Sequence, residues 1–233
     1  MGEAKTSPAF VWAHPFRNLR PFLALQIRVR QNPAMEKPDK LETLDDLLAQ
    51  AGHYAEFCMR NSGTMRPALF LIGAEGPLMI ATASMDGVEE KDAFVTAARL
   101  ICIAQAATSV VVALEAWMKF AKPGEPIDMT EPPSEAFDRQ EVVVLMGESK
   151  TGQKQRILPI IRSGNGRFFG FKEAVMPQTE RFEGRFSQIL SPNTPTDEHR
   201  FIAKAMLEMK GLHLDKPGSS VRLSPQKAKK SRR

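Results

Sequence analysis

Acidic side chains are the ones whose types and spacing could do chemistry in this chain. Glu115 stands close to Trp117 near the end of an apolar run, and Glu131, Ser134, Glu135, Asp138, Arg139 and Glu141 follow it. If the intervening loop folds back over the end of that run, several carboxylates and one guanidinium converge beside an aromatic ring. Such a group could run acid–base hydrolysis or hold a cation, with Glu115, Glu135, Asp138 and Arg139 as the catalytic candidates. The same residues also read as a network that pins a long loop, with Asp138 beside Arg139 and Glu115 offering a second partner. A partner-binding surface and a plain solvated face are the remaining readings.

Other chemistries find less support. Gly147-Glu148-Ser149-Lys150-Thr151-Gly152-Gln153-Lys154 is the nearest approach to a phosphate loop. Gln153 stands where that loop needs its Lys, and the segment that follows reads as a strand, so no helix N-terminus is offered to an anion. A hairpin turn explains the segment, and an Asn-Gly turn explains Gly164-Asn165-Gly166. The histidines His14, His53, His199 and His213 lack the spacing that brings metal ligands together, so neither a metal nor a cofactor is expected. There is no GxSxG elbow. Cys58 and Cys102 fall in apolar helical patterns, which points to inert buried thiols rather than nucleophiles or a disulfide.

Charge is divided unevenly. The 233 residues carry a net +5. Residues 1–34 account for +4 and residues 216–233 for +7, which leaves −6 for residues 35–215. The basic character therefore belongs to the ends, and a basic folded face for nucleic acid is not supported. The last residues, SPQKAKKSRR, place Lys227, Lys229, Lys230, Arg232 and Arg233 where they would attract phosphates weakly and without sequence preference. The alternative is a solubilising tail with no partner. Residues 1–34 mix Phe10, Trp12, Phe16 and Phe22 with four prolines and show no clean periodicity. They read as an upstream extension from a misassigned start, as an arm that docks by its aromatics, or as an Arg-rich transit segment. No apolar run reaches the length of a membrane span. The thiol usage and the lack of a secretory signal suggest a reducing, cytoplasmic setting.

The elements that must position the acidic residues follow from periodicity. Leu44, Leu47, Leu48, Ala51, Tyr54, Ala55 and Cys58 recur at helical spacing, with Thr43 as cap, Asp45 and Asp46 in the first turn, and Asn61-Ser62-Gly63 as the stop. ALFLIG (68–73) and PLMIATA (77–83) predict a hairpin around Ala74-Glu75-Gly76. A second helix is expected over about 89–107, and SVVVALEAWM (109–118) predicts a central strand. KPGEPIDMTEPPSE (122–135) predicts a surface loop. EVVVLMGES (141–149) and QRILPII (155–161) predict a hairpin turned at Thr151-Gly152, with Pro159 at an edge or a bulge. RFFGF (167–171) offers an additional strand. Residues 177–195 read as loop. Residues 197–210 predict an amphipathic helix with Phe201, Ile202, Ala205, Met206 and Met209 on one face, stopped by Gly211. The tail beyond residue 211 lacks apolar mass and is expected to be disordered.

The resulting order, α-β-β-α-β-β-β-α plus one added strand, predicts one α+β domain over residues 35–211. It is built from a mostly antiparallel five- or six-stranded sheet and about three helices. This layout resembles the roadblock/longin/profilin-like class, whose members use helix and edge-strand surfaces for pairing. TLDDLLAQAGHYAEFCMRN (43–61), ARLICIAQAA (98–107), ALEAWM (113–118), TEPPSEAFDRQEVVVLMGES (130–149) and ILPIIRSGNGRFFGF (157–171) resemble a family of uncharacterised bacterial proteins across residues 35–211. That resemblance implies no transferable activity. Three functions stay open: a non-enzymatic interaction or regulatory module, as a homodimer or with an unknown partner; a weak nucleic-acid accessory acting through the tail; and an enzyme centred on residues 115–141.

Overall fold

The computed structural model describes residues 41–82, 85–120, 131–172 and 182–214. Residues 1–34, the tail 215–233 with its five basic candidates, and most of the Pro-rich acidic loop lie outside them. Helix α1 (Leu44–Ser62) begins at Thr43, whose side chain accepts the Asp46 N–H while the Asp46 carboxylate accepts the Thr43 N–H. Gly63 closes it with φ 72°, a left-handed turn that a Cβ would strain. Strands β1 (Ala68–Gly73) and β2 (Gly76–Ala81) form the expected hairpin. Helix α2 (Val88–Ala104) starts where Glu90 reaches back to the N–H groups of Asp86 and Gly87. It ends three residues before the expected Ala107. Ala106 takes φ 46° there, and the Ala107 N–H returns to the Cys102 carbonyl, turning the chain into β3 (Ser109–Met118).

Strands β4 (Gln140–Ser149), β5 (Gly152–Arg162) and β6 (Phe168–Phe171) continue the meander, and α3 (Asp197–Met209) closes the described chain. The six strands form one antiparallel sheet in the order β2-β1-β3-β4-β5-β6. Lys150 and Thr151 make the tight β4–β5 turn, so the phosphate-loop look-alike is a hairpin. Pro159 does not sit on an edge strand. β5 is interior, and Pro159 lies at the end of its ladder with β4, just before pairing with β6 takes over and a bulge appears at Ile161/Arg162. The strand tolerates its missing N–H because the ladder changes partner there.

Helices cover both faces. Leu47, Leu48, Ala51, Ala55 and Met59 of α1 pack on Phe70, Val111, Ala113, Val143 and Leu145. Helix α2 and the segment 182–190 cover the other face, where Phe94, Ala98, Ile101, Phe186 and Ile189 meet Leu69, Val112, Leu114 and Val144. The central strands are apolar without alternation because both of their faces are buried. At Gly147 an added Cβ would lie 2.9 Å from Leu44 Cδ1, so this glycine lets the first turn of α1 approach β4.

Helix α3 buries the face opposite its apolar stripe. Its inner face, which joins the α2 core, consists of Ala203 and Leu207. The expected apolar stripe points the other way: Phe201 is 73% exposed, Ile202 46%, Met206 43% and Met209 88%.

Candidate functional site

Glu115 is the only acid of β3, on the side of the strand that also carries Val111 and Ala113 and faces α1. It is 8% exposed. Its carboxylate accepts the Met65 backbone N–H and so ties the central strand to the α1–β1 connection. Burial pushes this carboxyl up to about 7, with Glu141 adding to the rise and the Met65 N–H and Arg162 opposing it. Glu141 on β4 and Arg162 on β5 form a forked pair, both Arg162 Nε and Nη2 donating at 2.6 Å. Arg162 also donates to the Gly63 carbonyl at 3.1 Å and the Gly166 carbonyl at 3.3 Å. One guanidinium thus holds the α1 C-terminus, β4 and the β5–β6 turn together. Two carboxylates share its neighbourhood, and Glu141 takes the fork. Tyr54 and Cys58 approach from α1; burial pushes both groups up, and Cys58 also feels Glu115.

The other acidic candidates lie elsewhere. Glu135 and Asp138 stand exposed on the segment before β4, whereas Glu115 is buried. The groups acting most strongly on Glu115 come from β4, β5 and the α1–β1 connection. Arg139 places its guanidinium 4.6 Å from the Trp117 ring centroid and donates to the Ser134 carbonyl. The expected pairing of Arg139 with Asp138 is thus replaced by an aromatic and a backbone contact. Among the described residues no group of three His, Cys, Asp or Glu side chains is placed to hold a metal ion. His53 is exposed on α1, and His199 caps α3, its Nδ1 accepting the Thr196 N–H at 3.4 Å. Cys102 is buried in α2, where burial and, after it, Glu148 push the thiol up; Cys58 is half-buried.

Glu148 has a role that reading it as part of a turn misses. It is buried on β4 and accepts the Gln188 N–H at 2.5 Å and the Leu190 N–H at 2.9 Å. Gln188 takes φ 57°, a left-handed conformation that these bonds help to hold. The carboxylate therefore clamps the segment carrying Phe186 and Ile189 onto the core. The available signal was parity: Glu148 shares a strand face with Met146, a core residue. The same parity argument flags Glu115 against Val111 and Ala113.

The second feature is the outer face of α3. Five apolar residues, Phe201, Ile202, Ala205, Met206 and Met209, occupy one helical stripe. With Ala203 and Leu207 on the opposite side, the helix is apolar on both faces, a pattern that belongs to a helix covered on both. No helix of the described residues is long and apolar enough to cross a membrane. No protein-family model, curated protein or solved structure matches the chain.

Proposed function

We propose that this chain is a non-enzymatic protein-interaction module whose contact surface is the outer face of α3. One observation carries the reading: the helix turns Ala203 and Leu207 inward and leaves its other large apolar residues, Phe201, Ile202, Met206 and Met209, outward. Burying those side chains against another polypeptide removes their apolar surface from water, at about 25 cal/mol per Å². Rimmed apolar patches of this kind are favoured contact sites. The resemblance to roadblock-like layouts, whose members use helix and edge-strand surfaces for pairing, is compatible with this use. The two free thiols, Cys58 and Cys102, fit a reducing compartment such as the cytoplasm.

Hydroxyl-radical footprinting of the chain inside the cells that express it tests the proposal. Met206 and Met209 are expected to oxidise far more slowly than in a free peptide spanning residues 195–211. Oxidation as fast as in the peptide means that the face is bare, and the reading falls.

A further inference from the structure

We infer that the occupant of this face is the same face of a second copy, the two α3 helices lying antiparallel across a two-fold axis. The inference rests on the interaction-face reading above. It adds an argument from charge. Lys204 and Glu208 are both exposed and stand one turn apart along one border of the apolar stripe. The stripe runs from Phe201 to Met209, and a point between Ala205 and Met206 lies near its midpoint. A two-fold axis at that point sets Ile202 against Met209 of the second copy. It also sets Lys204 of each chain beside Glu208 of the other, so the same opposite-charge contact forms twice. Pairing of this kind is isologous and closes on itself. A parallel pair would instead set this border of one helix against the opposite border of the other, so Lys204 and Glu208 of different chains would not meet.

The size of the face sets the strength. A helix of 13 residues is about 20 Å long and about 10 Å wide. Its footprint falls well short of the roughly 800 Å² per partner of a standard stable interface. The dimer is therefore reversible and dissociates on dilution. The chain's own residues 1–40, with Phe10, Trp12, Phe16 and Phe22, are the competing occupant.

Sedimentation velocity on the full chain over a dilution series tests this, with Lys204→Glu, Glu208→Lys and the double variant alongside. Both positions are exposed, and a thermal melt of each variant confirms folding. The wild type is expected to move from dimer to monomer on dilution. Each single reversal should weaken the dimer by about tenfold or more. The double reversal should restore it, and a mixture of the two single variants should form heterodimers. A wild type that is monomeric throughout, or a dimer indifferent to either reversal, overturns the inference. If that monomer has Met206 and Met209 unprotected when pure but protected in cells, the face belongs to a foreign partner, and only the second-copy inference falls. If they are protected in the pure monomer, residues 1–40 cover the face and both readings fall.

Discussion

Two buried acids, Glu115 and Glu148, do similar mechanical work on central strands. Each receives backbone N–H groups from a neighbouring loop, one from Met65 and the other from Gln188 and Leu190. A buried carboxylate is costly unless such donors or a counter-charge offset its lost hydration. For Glu115 the offset is incomplete, because Glu141 takes the fork of Arg162 and the folded carboxyl lies up at about 7 against a usual 4.5. A raised folded value means that the fold prefers the protonated acid. The stability associated with it is fully present below about pH 4.5 and is lost as pH rises through about 7. The whole gap corresponds to roughly 3 kcal/mol. Tyr54 and Cys58 on α1, Arg66 in the following connection, Glu141 and Arg162 are the other titratable and charged groups around this site. Tyr54 and Cys58 are pushed up, away from this window. Glu115→Gln keeps an acceptor for the Met65 N–H and removes the charge. Its melting temperature should exceed that of the wild type at pH 8 and converge with it near pH 4.5. Parallel pH profiles for the two proteins would show that Glu115 does not titrate in this range.

In helix α3 the amphipathic pattern marks the helix without marking the face that the core buries. The periodicity marks a stripe that includes Phe201, Ile202 and Met209, and a stripe of this kind ordinarily faces the core. Here α2 meets Ala203 and Leu207 instead, and Arg200 reaches the Ala104 carbonyl at 3.4 Å. With only Ala203 and Leu207 turned to the core, the other large apolar residues stay outside. The two faces therefore respond differently to truncation. Leu207→Ala should cost about 2–5 kcal/mol in chemical denaturation, since it empties a buried site. Phe201→Ser, measured at dilutions where the chain is monomeric, should cost less than about 0.5 kcal/mol. Equal losses from both would mean that α3 sits the other way round.

At the scale of the molecule, one sheet serves two cores. Val111, Ala113, Val143 and Leu145 face α1, while Val112, Leu114 and Val144, their neighbours in sequence, face α2. Neither core can open without exposing strands that the other also uses, so the described residues should unfold as one unit. Leu47→Ala on the α1 side and Ile101→Ala on the α2 side should each lower a single transition by about 2–5 kcal/mol. Separate transitions seen by calorimetry would show that the layers unfold independently. By itself the sequence determined the class, the three helices, the strand boundaries to within a few residues, and the hairpins. Those features follow from local periodicity, caps such as Thr43 and turn residues such as Gly63 and Gly166. Only the tertiary structure decided which face of α3 is buried, that Pro159 lies inside the sheet, and that Glu115 meets Glu141 and Arg162 rather than Glu135 and Asp138. These outcomes depend on which elements become neighbours in space. Helical and strand periods report that a face exists, and they carry no information about what is packed against it.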